Sequence, residues 1–183
     1  EELYQVGPHA VPYLIAGLEF GDTIFRDHCS DALARFGAAA VSRIEESWQA
    51  KPSPLFRRAL AAALSRLHDP SALSLLSKQA LIDEDWAIRA YACEGLSHGS
   101  PPARWAPCLL PALQDRDPYV RKQAVLGLGR LGYRPALPEL EILAQQASGN
   151  PDQLDLALAT RQAISMIKKR NNPAHGIQDT ENP

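Results

Sequence analysis

A five-residue pattern that returns about every 32 residues constrains the fold of this chain more than any other feature. Asp or Ser, two variable residues, an apolar residue and Arg occur at 22–26, 53–57, 85–89 and 117–121, with starts 31, 32 and 32 positions apart. Asp and Ser cap helices by accepting N–H groups of the first turn, and in two copies Pro follows at the first helical position, which tolerates it. The apolar position continues at helical spacing, which predicts one buried helix face per copy. We call these the A helices, and their predicted stripes are Phe25–Cys29–Leu33, Phe56–Leu60–Leu64, Ile88–Ala92–Leu96 and Val120–Ala124–Leu128.

A second pattern predicts a partner helix for each A helix. Ala or Trp, followed four positions later by Leu or Ile, begins segments at 10–14, 40–44, 72–76, 105–109 and 136–140. Pro12, Pro107 and Pro138 stand at the third place and are expected within the first turn. Short connections such as Phe36-Gly37 require these B helices to run antiparallel to the A helices. Helices of about a dozen residues are marginal alone and become stable by stacking, so we predict an all-α chain, a right-handed α-solenoid of antiparallel helix pairs.

The repeat predicts one repeat domain, residues 1–170, followed by a tail, residues 171–183. Its expected units are a partial repeat at 1–21, repeats at 22–52, 53–84, 85–116 and 117–151, and a capping helix at 152–170. Residues 1–7 align with the end of an A helix that lacks its beginning, so further repeats or a domain are expected N-terminally in a longer parent chain. The tail is polar and contains Pro173 and Gly176, and it is predicted to be disordered.

The repeats resemble HEAT repeats, in particular the short bacterial type named after the phycobilisome lyases. The resemblance covers roughly residues 8–147 and is carried by the repeat length, by Asp-Pro-x-Val-Arg at 117–121 and by Ala-Val-Pro-x-Leu-Ile at 10–15. It implies a HEAT-like superhelix. It also implies a scaffold or adaptor role, as in most families of this type, although a few members handle tetrapyrroles or modified DNA bases.

Charge and composition argue against several other classes. The chain has 19 Lys+Arg and 21 Asp+Glu, whereas nucleic-acid binders usually carry a basic excess. No apolar run approaches the roughly 20 residues of a membrane span. The three cysteines show no CxxC spacing and fit reduced thiols, which makes a cytoplasmic location the default expectation. We therefore expect neither nucleic acid nor a membrane as the partner.

The sequence contains no recognisable catalytic, cofactor-binding or metal-binding motif. No histidine is followed by Glu, so the His-Glu pairs of HEAT-type enzymes resembling deoxyhypusine hydroxylase are missing, as are a Gly-rich phosphate loop and a GxSxG elbow. The ladder of Arg26, Arg57, Arg89 and Arg121 is interpreted as structural, because three members have Asp four residues earlier and could pair with it. The chain is therefore not expected to be an enzyme.

The positions of the Cys and Trp residues in the repeat predict different environments for them. Cys29 and Cys93 are interpreted as small buried hydrophobes, and Trp48 as a core residue. Trp86 falls in the first turn of an A helix and should be partly exposed. Trp105 replaces the Ala of the other repeats after a longer turn, and two interpretations remain open. It forms a specialised patch with Trp86, or it packs over the longer turn.

The candidate partner-binding residues lie mainly on the exposed side of the B helices, the predicted concave face, and the two tryptophans join them. This mixed surface suits a protein or peptide better than DNA. The leading hypothesis is a non-enzymatic scaffold or adaptor. The alternative is a tetrapyrrole-handling protein resembling a bilin lyase subunit, with Trp86, Trp105 and Cys108 around an apolar groove. A third hypothesis, a HEAT-like base-excision enzyme, conflicts with the net charge. The candidate residues are Tyr13, Arg43, Glu46, Lys78, Trp86, Trp105, Cys108 and Glu139.

Overall fold

The computed structural model of the chain describes residues 7–50 and 52–170, and in these ranges every regular element is a helix. Short 3-10 turns flank several of the α-helices. The expectations for residues 1–6 and for the tail 171–183 lie outside the described residues. The α-helices are α1 (Val11–Phe20), α2 (Thr23–Ala34), α3 (Ala38–Gln49), α4 (Pro54–Leu67), α5 (Pro70–Lys78), α6 (Trp86–Leu96), α7 (Pro102–Leu109), α8 (Pro118–Leu131), α9 (Leu137–Ser148) and α10 (Leu154–Arg170).

The helices stack in a row. The even-numbered helices are the A helices, and each packs along its length against the next, from α2 to α10. The odd-numbered helices are the B helices, which contact their A helices and touch the next B helix over shorter stretches. The apolar core therefore runs along the row instead of collecting around one centre. This arrangement confirms the predicted α-solenoid.

The predicted capping residues begin the A helices. Asp22 Oδ1 accepts a hydrogen bond from the Phe25 N–H at 2.8 Å, and the side chains of Ser53, Asp85 and Asp117 cap α4, α6 and α8 in the same way. The turn from α2 to α3 passes through Gly37 at φ +52°, a backbone conformation that glycine adopts without steric cost. Caps and turns thus fix where each A helix starts and where the chain reverses.

The predicted stripes are buried, with one exception. The stripe residues of α4, α6 and α8 are all buried, as are Cys29 and Leu33 in α2. Phe25, however, is 54% exposed, so its assignment to the core is wrong. Among the described residues no A helix precedes α2, so the Phe25 ring lies beside Gly17 and Gly21 of the α1 end without a cover.

Two predictions about the B helices are corrected. Pro107 lies well inside α7 and not in its first turn, because that helix begins at Pro102. Pro12 and Pro138 do lie in first turns, as predicted. Trp48 packs against the core but is only partly buried.

None of the described helices combines the length and the apolar character needed to cross a membrane.

Candidate functional site

The exposed side of the B helices, here called the B face, carries most of the predicted partner-binding residues. Tyr13 is 76% exposed, and Cys108 is half-buried. Arg43 and Glu46, one turn apart on α3, form an exposed ion pair of 2.8 Å. The members that are exposed on this face are Tyr13, Arg43, Glu46, Lys78 and Glu139.

Trp86 does not join this face. It begins the A helix α6, is 45% exposed, and its ring meets that of Tyr119 edge-on at 5.7 Å between centroids. The two rings border a cavity of about 140 Å³ lined by residues of α6 and α8. Trp86 and Cys108 therefore line different cavities, and neither cavity contains both residues.

Trp105 is a packing residue, which decides between its two interpretations. It is 3% exposed, and its indole N–H donates to the Ser100 carbonyl oxygen at 3.4 Å. A Cβ on Gly99 would lie 2.4 Å from the ring, so the longer turn needs glycine there to lie flat on the indole. The guanidinium of Arg104 lies 4.5 Å from the centre of the same ring. Trp105 thus covers the turn and supports Arg104, and it is closed to direct contact with a ligand.

The first groove of the B face lies between α3, α5 and α7 and encloses about 360 Å³. Lys78 and Arg104 line it from α5 and α7, together with Glu45 from α3. Leu75 is 5% exposed and forms part of the lining. The sequence did not single out Arg104, because adjacent residues on a helix normally do not face each other and its contact with Trp105 left no signal in the repeat.

The second groove lies on the other side of α5 and encloses about 320 Å³. Cys108 of α7 lines it with Ser77, Leu81, Ile82 and Pro111. Ile82 is 80% exposed, so an apolar wall faces solvent here. Grooves of this size, apolar with a few polar groups, fall at the lower end of the range for small-molecule sites, about 300–1,000 Å³.

Cys29 and Cys93 are buried thiols. Burial raises the pKa of the Cys93 thiol to about 12 and also raises the pKa of Cys29. Both therefore stay protonated at neutral pH, and the prediction that they are small buried hydrophobes is confirmed. No three His, Cys, Asp or Glu side chains come together to hold a metal ion in the part of the chain that the structure describes.

The arginine ladder is structural, but its partners differ from those predicted. Asp85 and Asp117 are engaged as helix caps, so Arg89 and Arg121 do not pair with them. Arg89 instead donates to both carboxylate oxygens of Asp115, at 2.6 and 2.7 Å, and to the backbone carbonyls of residues 83 and 84. Burial alone would raise the pKa of Asp115, but the hydrogen bonds from Arg89 and from the Asp117 N–H outweigh it and hold that pKa below its usual value.

The class of protein follows from the repeat architecture and from a family comparison. The family model for HEAT repeats matches residues 76–161. Residues 76–161 are thus HEAT repeats, and the row of antiparallel helix pairs has the architecture that such repeats form.

Two known proteins are similar to this chain. A bilin biosynthesis protein, RpcE of Synechococcus sp. (strain WH8020), is 43% identical over 54 residues, which are 30% of this chain and 20% of that protein. The chain thus matches about a fifth of the length of this relative. The structure of the complex of CpcE and CpcF of phycocyanin lyase from Nostoc sp. PCC7120 contains a chain of the same fold, with a TM-score of 0.67 and 22% identity. That match covers 87% of this chain and 98% of the other. This likeness shows that the two chains have a common fold.

These similarities overturn the leading functional hypothesis. A non-enzymatic, protein-binding scaffold was favoured because the sequence holds no catalytic motif. The similar proteins are named for bilin biosynthesis and for phycocyanin lyase. They favour the alternative hypothesis, a bilin lyase subunit. The absence of a known catalytic motif does not exclude that function.

Proposed function

We propose that the protein is a bilin-handling subunit of the lyase type, which holds an open-chain tetrapyrrole on its B face. The observation that carries the proposal is the 43% identity to a bilin biosynthesis protein, supported by the fold that the chain has in common with part of a phycocyanin lyase complex. The comparison is with one half of a two-protein complex, so the proposal includes a second protein subunit as the partner.

The B face is the part of the molecule that suits such a ligand. A bilin has a long conjugated body with apolar edges, and it requires an open, elongated surface with apolar contacts. The two grooves flank α5 and open to solvent on its two sides, one containing Lys78 and Arg104 and the other Cys108 and Ile82. The A-helix cavity beside Trp86 is about 140 Å³, below the range for ligands of this size.

The proposal is tested by titrating the purified protein with biliverdin. Binding on a groove wall restricts rotation about the methine bridges, so we expect a shifted visible absorbance band and induced circular dichroism. Half-saturation at about 1 µM would correspond to about 8 kcal/mol of binding free energy. A visible spectrum that is unchanged by the protein contradicts the proposal.

Two variants locate the binding. Ile82→Asp places a carboxylate in the second groove and should abolish the spectral shift. Trp86→Ala removes a partly exposed aromatic ring on the A-helix side and should leave the shift intact. Loss of the shift in Trp86→Ala but not in Ile82→Asp would move the site away from the B face.

A further inference from the structure

The first groove of the B face holds cations without partners. Most Lys and Arg side chains in the described part of the chain donate to a carboxylate, a hydroxyl or a backbone carbonyl, as Arg43 and Arg57 do. Within the ranges 7–50 and 52–170, four have no such acceptor: Lys78, Arg104, Arg134 and Lys169. Two of these four line the same groove. Because most cations of the described residues are paired, two unpaired cations in one groove mark a place where an external anion fits.

The Arg104 guanidinium is held in position by packing. It lies over the face of the Trp105 ring, at 4.5 Å from the centroid. That ring is fixed by burial, by Gly99 and by its hydrogen bond to Ser100. A cation–π contact orients a guanidinium and leaves its N–H donors free for a planar acceptor such as a carboxylate.

The charges of the groove favour an anion. Lys78 and Arg104 contribute two positive charges, and Glu45 contributes one negative charge on the opposite wall. Glu45 forms no ion pair with either cation at 4.0 Å or less in the described residues. The excess of one positive charge, on side chains already in place, is complementary to a carboxylate-bearing ligand.

We infer that this groove binds the propionate carboxylates of the bilin, with Arg104 and Lys78 as the recognising residues. This inference rests on the proposed function. An open-chain tetrapyrrole carries its two propionates side by side on the central pyrroles, while its outer lactam rings carry no charge. The ridge of α5 between the grooves presents the small side chains of Ser74 and Ser77, so a flat ligand can lie across it. The apolar second groove, with Leu81 and Ile82, then receives an outer ring.

The test compares biliverdin with biliverdin dimethyl ester, which keeps the chromophore and removes both carboxylates. We expect the wild-type protein to bind the free acid about tenfold more tightly than the ester, equivalent to about 1.4 kcal/mol. In the Lys78→Gln/Arg104→Gln protein this preference should vanish, while affinity for the ester stays unchanged. The matched control, Arg134→Gln/Lys169→Gln, removes the other two unpartnered cations and should keep the preference. All four side chains are exposed, and far-UV circular dichroism verifies that the helices persist.

The outcomes separate the two proposals. If the wild-type protein binds neither compound, both the proposed function and this inference are overturned. If it binds acid and ester equally, the bilin function stands and the carboxylate site is wrong. The site is equally wrong if the Lys78→Gln/Arg104→Gln protein keeps the preference, or if the control loses it.

Discussion

Arg89 connects two successive repeats through a single side chain. Its guanidinium donates backward to the carbonyls that precede α6 and forward to the carboxylate of Asp115, which precedes α8. Arg121 donates in turn to the backbone carbonyl of Asp115, so the contacts continue from one repeat to the next. The side chains of Arg89 and Asp115 are 6% and 11% exposed. A buried ion pair of this kind is costly to break, because one charge is left without compensation.

Replacement of Arg89 by Met should therefore lower the free energy of unfolding by about 3–5 kcal/mol. The matched control is Arg43→Met, which breaks an exposed pair and should cost about 0.2–1 kcal/mol at most. Urea denaturation monitored by circular dichroism measures both. Equal losses in the two variants would show that Arg89 has no special role in joining the repeats.

The arginine partners show where prediction from the sequence stops. The repeat placed Arg26, Arg57, Arg89 and Arg121 correctly as structural residues. It suggested Asp85 as the partner of Arg89, because residues four apart lie on one helix face. In the structure the Asp85 side chain accepts from the Ala87 N–H at the helix start, and the arginine is free to reach Asp115, 26 residues away. A capping role and a pairing role compete for the same carboxylate, and local spacing does not decide between them.

The backbones of α8 and α10 approach each other closely at Gly129. A Cβ placed on Gly129 would lie 2.9 Å from both Cα and Cβ of Ala163, and a backbone atom cannot move aside as a flexible side chain does. The two small residues allow α10 to pack on α8 despite the longer spacing between the last repeat and this helix. The packing of the last helix therefore depends on this pair.

Gly129→Ala should force α8 and α10 apart and destabilise the protein by about 1–3 kcal/mol, as overpacking does in other cores. Gly149→Ala is the control, since nothing lies within 4 Å of its added Cβ and its φ of −86° suits any residue. Thermal unfolding should show a lower Tm for Gly129→Ala alone. A Tm equal to that of the wild type would mean that the helices shift at no cost.

At the same scale, the boundaries of α7 escaped prediction. The segment 105–109 aligned with the other B-helix starts, but the helix begins earlier, at Pro102, and tolerates Pro107 inside it. The turn before it contains Pro101 and Pro102, and Pro102 opens the helix at a position where its missing N–H is not needed. The spacing of apolar residues correctly predicted that a helix exists here. Its start was not predicted, because the turn before it contains additional residues. Arg104 consequently lay outside the predicted surface.

For the molecule as a whole, we expect the stability of each repeat to depend mainly on the repeats next to it. Each A helix packs on the next, and α10 packs on both α8 and α9. A chain that stops after Gly149 removes the last helix and leaves the outer face of α8 uncovered. We expect fast amide exchange in α8 and α9, while α2 to α5 keep the protection they have in the complete chain. A chain that stops after Arg170 retains all described helices and serves as the control. Loss of protection throughout the shorter chain would show one cooperative unit instead.

The unequal packing of the two helix layers bears on how a ligand would be held. Successive A helices pack along their length, and B helices touch one another over shorter stretches. We therefore expect bending of the array to change the spaces between B helices more than those between A helices. The affinity for a ligand on the B face would then depend on the curvature of the helix array, and the bound ligand would affect that curvature in return. Under the proposed function, we expect a ligand bound beside α5 to stiffen the array. A partner subunit that contacts both ends of the array should in turn change the affinity for that ligand.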